Sequence, residues 1–391
     1  MAWARGSLVK IALIHYSYAP VIGGVEIVMA EHARLFADHG HEVTIICDHG
    51  KSEDRRIRLE LLPDAEDAAE LARALEPRLA NKDVIMIHNV ATMPFHLGLT
   101  EALWNLANKL TSVRFIAWIH DLVACNPDYN LPSLGEWPWS ALARAHERYR
   151  YVAVSALRRS QFVELTKAPC TVIPNGVDPE RMLCLTKTVA DLAREYDLNG
   201  REIVLIHPTR LLKRKNVELG LHVTAALKSA GRRCAYIVTG APDAQNPASR
   251  AYAEQLLHLR SRLDLVDDAL FLHEETRIAD ADLASLYMLS DALFFPSRQE
   301  GFGLPLLESV LHRLPVFCSD IAPLDSLLTR GVTVFPLDAE PTQIAMLVAA
   351  RLGTNEAWQA RNEVRRTYAW PAVYRNFLAP LLAETDTPNK P

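Results

Sequence analysis

Short apolar runs alternate along this chain with longer stretches in which apolar residues recur at helical spacing. Residues 9–15 (Val-Lys-Ile-Ala-Leu-Ile-His) read as a first buried strand, and residues 25–39 as a helix that Gly40-His41 stops. A second strand over 42–47 completes a strand–helix–strand unit whose turn carries Gly23-Gly24. The alternation continues with strands at 57–61, 84–87, 113–119, 151–154 and 171–173 and helices at 65–79, 95–110, 140–148 and 155–165. Residues 122–138 have three prolines and no clear period, which predicts a long functional loop. Pro174-Asn175-Gly176-Val177-Asp178-Pro179 is dense in turn formers and ends this first series.

A second series follows. Strands are predicted at 203–206, 235–238, 269–272, 292–295 and 316–318, with helices at 217–229, 248–263 and 282–289. A last amphipathic helix spans 368–383. Runs that are apolar on both faces suit strands of a parallel sheet covered by helices. Two consecutive doubly wound α/β units are the economical architecture. At 391 residues the chain exceeds one ordinary core, so a first domain over 1–182 and a second over 183–369 are expected.

Composition narrows the function. A net charge of −5 gives no reason to expect a nucleic-acid partner. The six cysteines lack metal or redox spacing and suit reduced, buried thiols. No apolar run nears the roughly 18 residues of a membrane span, so a soluble, cytoplasmic protein is expected. Neither Gly-x-Gly-x-x-Gly nor a Walker-type loop is present, which argues against nicotinamide, flavin or P-loop chemistry.

Chemistry concentrates at Ser290 to Ser309. A buried strand ends at Pro296, a turn holds Gly301 and Gly303, and Leu304, Leu306, Leu307, Val310 and Leu311 mark a helix. The start of that helix suits an anion, and Glu300 and Glu308 flank it. Arg210 and Lys215 follow the carboxyl end of another strand, where a guanidinium and an ammonium could hold a diphosphate through charge-assisted bonds. Read alone, each is an ordinary loop charge, and Lys213 and Arg214 are read as solvated. His120 ends a buried strand, where a satisfied core histidine is the plain alternative.

In this order, Gly23-Gly24, Gly40-His41-Glu42-Val43, Val154-Ser155, Ile173 to Asp178, Arg210 with Lys215, Pro296-Ser297, Glu300 with Glu308 and the Trp370 segment resemble the family 4 retaining glycosyltransferases. The resemblance covers about residues 11–382. It implies the GT-B fold, two Rossmann-like domains facing an interdomain cleft, with residues 1–182 taking the acceptor, 183–369 a nucleotide-sugar donor of the GDP-mannose or UDP-glucose type, and the last helix, 370–385, packing back on the first domain. It implies that Glu300 holds sugar hydroxyls and Glu308 the ribose. The amides of Phe302, Gly303 and Leu304 would touch sugar or phosphate, Gly24 would face the same phosphate, and His120 would contact the sugar. Asn216, where a glycine is frequent, His207-Pro208-Thr209 and Asp325 depart from the usual pattern.

The expected activity is therefore transfer of a mannose or glucose, with retention, to a hydroxyl of a small acceptor that could be anionic. No cofactor is needed, and Arg210 and Lys215 take the electrostatic role of a metal, because no Asp-x-Asp motif is present. The run 210–216 with His273-Glu274-Glu275 and Asn246-Pro247 resembles the synthases that mannosylate glucosylglycerate. Arg144, His146, Arg148, Arg150, Arg158 and Arg159 make a basic stretch that suits a solvated helix face, an anionic membrane surface or a charged acceptor. A non-catalytic nucleotide-sugar-binding protein and a nucleotide-sugar epimerase on the same fold are the alternatives.

Overall fold

The computed structural model describes residues 8–129, 135–243, 245–328 and 330–384, so part of the 122–138 loop and residue 385 lie outside the described residues. The chain divides into two compact units, one running to Gly176 and resuming at Trp370, the other from Val177 to Ala369.

The first unit is built on seven strands: β1 Lys10–Ile14, β2 Glu42–Cys47, β3 Ile57–Leu61, β4 Val84–His88, β5 Arg114–Ile119, β6 Tyr149–Ala153 and β7 Cys170–Val172. All pair in parallel in the order β3-β2-β1-β4-β5-β6-β7. The two-residue period of a strand explains the layering. In β5, Phe115, Ala117 and Ile119 enter the core beneath helices Ala68–Leu79 and Leu97–Lys109, while Ile116 and Trp118 enter the core beneath helix Gly24–Asp38. Helix starts are set by side-chain caps: Asp67 accepts from the Glu70 amide and Ser155 from the Arg158 amide.

Two expectations fail here. Residues 140–148 form no α-helix; a short 3-10 turn, Trp139–Ala143, gives way to irregular chain and then β6. His146 is buried, with its amide donating to the Tyr151 hydroxyl (2.7 Å), its Nδ1 accepting from the Arg148 amide (3.0 Å) and its ring edge-on to Trp104. These bonds and ring contacts hold the backbone out of helical geometry. The basic stretch is therefore not one helical face. Arg148 donates to the Thr111 carbonyl (2.6 Å), Arg150 pairs with Glu384, and Arg158 pairs with Asp121 (2.8 Å).

Nor is 368–383 one regular α-helix: it starts only at Trp370 and widens midway without breaking. Ala369 is extended, and Trp370–Val373, a wide π-turn Tyr374–Leu378 and Ala379–Ala383 follow. Pro380 has no N–H for the carbonyl four residues back and its ring crowds that position, which widens the turn before it. Trp370, Val373, Leu378, Leu381 and Leu382 nevertheless pack into the first unit's core, and Arg114 donates to the carbonyls of Leu381 (3.2 Å) and Leu382 (2.8 Å). Gly176 lies so close to the Trp370 ring that a Cβ would fall 2.4 Å from it.

The second unit has six parallel strands, β8 Ile203–His207, β9 Cys234–Val238, β10 Ala269–Phe271, β11 Ala292–Phe295, β12 Val316–Ser319 and β13 Val332–Phe335, in the order β10-β9-β8-β11-β12-β13. β13 escaped the sequence reading because a four-residue edge strand, only partly buried, carries little pattern. Helices Pro341–Gly353 and Glu356–Glu363 were also missed. Asp291, just before β11, is fully buried; its carboxylate accepts from the Val204 amide (2.8 Å) and from Arg365 (2.9 Å), which satisfies a charge that would otherwise be costly there. Of the six cysteines, all free, Cys47, Cys234 and Cys318, each within a strand, are buried, Cys125 and Cys170 are partly buried, and Cys184 is exposed.

Candidate functional site

In the second unit the functional loops hang from the carboxyl ends of neighbouring strands. β8 pairs with β11 (Leu205 with Ala292), so the loop after His207 and the turn after Phe295 emerge side by side. The first loop closes through Asn216, whose φ of 57° and ψ of 42° lie in the left-handed region that asparagine tolerates better than most residues. Glycine would adopt that conformation with equal ease. The two loops are stitched together: the Arg298 amide donates to the Arg214 carbonyl (2.7 Å), and the Arg298 guanidinium to Asn216 Oδ1 (2.9 Å).

At this junction Lys215 Nζ lies 2.5 Å from Glu300 Oε1, with the two side chains only 13% and 7% exposed. Ser297 donates to the same oxygen (2.6 Å), and the Ser297 carbonyl is itself held by the Ser319 hydroxyl of β12 (2.6 Å). The ammonium also sits 5.2 Å from the Phe295 ring centroid. Arg214, read from sequence as a solvated charge, is exposed, and it also donates to the Gln299 carbonyl (3.2 Å) and lies 3.8 Å from Glu300 Oε2. Beneath them His207 is fully buried, its Nδ1 2.5 Å from the Tyr236 hydroxyl. Burial, reinforced by the Lys215 charge, depresses its pKa to about 3 and keeps it neutral.

Gly303 caps helix Leu304–Leu311 with a φ of +103°, and no side chain caps that helix start. Phe302 and Leu304 are exposed on either side of it. Glu308 lies one turn along, half-buried, and accepts from the Tyr287 hydroxyl (2.7 Å). Burial and the Glu308 carboxylate both push that hydroxyl's pKa up, so it stays a donor. Arg210 is exposed and lines an open cavity of about 660 Å³ with Thr239, Gly240, Asp243, His273 and Arg277.

In the first unit, Gly24 opens helix Gly24–Asp38, and a Cβ there would meet nothing within 4 Å, so the space beside it is open. It lines a cavity of about 290 Å³ with His15, Ser17, Glu26 and Asn89. Glu26 accepts from Ser17 (2.6 Å), and His15 Nε2 is 3.7 Å away. Sequence reasoning passed over Glu26, although an acid two residues after a diglycine was a usable signal. His120 is partly buried, its amide held by Asn89 Oδ1 (2.8 Å) and its Nε2 3.1 Å from His88 Nδ1. Burial, with a smaller contribution from His15, lowers its pKa to about 3. Asp121 fixes the following loop through the Leu122 amide (2.8 Å), Asn126 (2.8 Å) and Arg158. Among the described residues no group of three or more His, Cys, Asp or Glu is arranged to hold a metal ion, and no helix is long and apolar enough to cross a membrane.

Residues 22–181 match the family model Glycosyltransferase Family 4, and residues 189–358 match Glycosyl transferases group 1. The chain belongs to the family 4 glycosyltransferases. Its two doubly wound units are those of a GT-B enzyme. This glycosyltransferase is similar to the mannosylglucosylglycerate synthase of Thermotoga maritima, 23% identical over 80% of this chain and 83% of that one. It is similar also to the GDP-mannose-dependent alpha-(1-6)-phosphatidylinositol dimannoside mannosyltransferase of Mycobacterium tuberculosis, 22% identical over 93% of both chains. A crystal structure of Anabaena Alr3699/HepE in complex with UDP aligns with 96% of this chain and 100% of its own at 17% identity and a TM-score of 0.39.

Proposed function

We propose that this glycosyltransferase moves a hexose, with retention of the anomeric configuration, from a nucleoside-diphosphate sugar to a hydroxyl of a small acceptor. The observation that carries the reading is Lys215 drawn against Glu300 beside an uncapped helix start: a cation for the diphosphate and a carboxylate for the sugar, held by one pair of neighbouring strands. Glu300 accepts hydrogen bonds from sugar hydroxyls and Glu308 from the ribose. Arg210 and Lys215 hold the diphosphate, and the amides of Phe302, Gly303 and Leu304 meet its charge. From the first unit, Gly24 lets the phosphate approach closely and His120 contacts the sugar. The bond between the anomeric carbon and the phosphate oxygen breaks, the acceptor oxygen bonds to that carbon from the same face, and its proton passes to the departing phosphate.

Mannose is the favoured sugar, with a GDP-type donor, because two relatives that align over most of their length carry mannosyl activities in their names. The protein works in the cytoplasm, where nucleotide sugars are made. Turnover needs no divalent ion, since the paired cations hold the leaving charge; activity abolished by chelator and restored by magnesium or manganese would overturn that. The decisive test is nucleoside diphosphate release across a panel of GDP- and UDP-sugars with hydroxylated acceptors, followed by NMR of the product linkage. An α-linked product from an α-linked donor supports the reading. Tight donor binding without turnover on any acceptor makes this a binding protein, and an inverted linkage refutes retention.

A further inference from the structure

Three histidines terminate three neighbouring strands of the first unit: His15 just after β1, His88 at the end of β4 and His120 just after β5. Their bonds form a directed chain. The His88 carbonyl is 2.8 Å from His15 Nδ1 and so receives a hydrogen bond from it. His88 Nδ1 and His120 Nε2 are 3.1 Å apart. The other polar groups around His120 carry little charge. His88 from β4, His15 from β1 and His32 from helix Gly24–Asp38 are all held neutral by burial. Glu26 lies beyond His15, and Asp121 is spent on Arg158 and its own loop.

A bond between two neutral imidazoles needs one N–H and one lone pair. If His120 donated from Nε2, His88 would carry its proton on its own Nε2, which is buried with no hydrogen-bond partner. A buried orphan N–H is the rarer and more costly defect. With the reverse polarity a bare lone pair occupies that position. We propose that His88 is a positioning residue, donating from Nδ1 to His120 Nε2 and thereby fixing His120 as the Nδ1–H tautomer. His120 then offers one N–H outward as a neutral hydrogen-bond donor, suited to an oxygen of the sugar and not to taking a proton. Asn89 completes the arrangement by gripping the backbone amides of both His120 (2.8 Å) and Asp121 (3.1 Å).

The inference rests on the reading that His120 contacts the donor, but its first test does not. Long-range proton–nitrogen NMR of the imidazoles in the ligand-free full chain should find His120 protonated on Nδ1 and His88 on Nδ1, unchanged between pH 5.5 and 8.5. Protonation of His120 on Nε2, or titration within that range, overturns the proposal without touching the proposed function. The second test is kinetic. His88→Phe keeps a ring in place and removes the donor; it should give His120 a mixture of tautomers and lower kcat about two- to tenfold, the loss of one neutral hydrogen bond. Donor KM should change less. His88→Asn, which restores an N–H donor, should recover part of both. A folded His88→Phe variant with the His120 tautomer unchanged, or kcat unchanged, refutes the positioning role.

Discussion

Replacing Glu300 by glutamine tests the central pair most sharply, because it changes charge and almost nothing else. In the ligand-free protein Lys215 is neutralised by Glu300 at 2.5 Å in a nearly closed site, with Arg214 3.8 Å from the other carboxylate oxygen. Glutamine can still accept from Lys215 and Ser297, so the geometry should survive. The bond to Lys215 weakens from a charge-assisted one of about 1.5–3 kcal/mol to a neutral-acceptor one at the lower end of that range or below. The cation so released strengthens its hold on a diphosphate. Crediting it with about 1–2 kcal/mol of the difference gives nucleoside diphosphate affinity rising roughly five- to thirtyfold. Turnover should move the other way. In the proposed function the carboxylate faces the sugar, where positive charge develops, so its loss should lower kcat by at least on the order of a hundredfold. Calorimetric titration of wild type and Glu300→Gln with GDP and with UDP, beside steady-state kinetics, measures both arms. A variant that loses diphosphate affinity, or turns over normally, would show that Glu300 does not restrain Lys215 and does not serve the transition state.

Glu308→Gln should mainly raise the donor KM, about ten- to a hundredfold, with kcat within a few fold, since a ribose contact is equal in ground and transition states; Tyr287→Phe should raise the donor KM several fold by the same route, and a selective kcat loss in either would displace the ribose assignment. Burial depresses His32, His120 and His207 to about 3 and also holds His88 well below its ordinary value. The unfolded chain takes up protons at these positions near pH 6.5 while the folded chain does not, so stability is lost as pH falls below that value. Each contributes up to about 2 kcal/mol of loss by pH 5, and a melting temperature that stays flat from pH 7 to 5 would contradict it. Gly303→Ala places a Cβ 2.6 Å from Leu324 at a φ of +103° and should cost about 1–3 kcal/mol of stability, along with donor affinity; a melting curve and donor KM matching wild type would refute the strain.

What the sequence determined by itself was local. Apolar runs such as Ile11 to Ile14 and Ala292 to Phe295, short and bounded by turn residues, suit strands buried on both faces, and diglycine, Asn-Gly and Gly-x-Gly punctuation marks where such strands turn into helices. Period and turn chemistry are properties of neighbouring residues, so they survive in one dimension. Where side chains from distant segments compete with the backbone, the reading failed. His146, seated between Trp104 and Tyr149, denied residues 140–148 their helix, and Pro380 widened the turn before it. Tertiary structure alone decided who meets whom. Lys215 and Glu300 are 85 residues apart and touch only because β8 and β11 are neighbours in the sheet. His88 reaches His120 across 32 residues for the same reason, β4 lying against β5. Strand order is fixed by how whole helices and strands bury their apolar faces together, and no residue's immediate neighbours encode it.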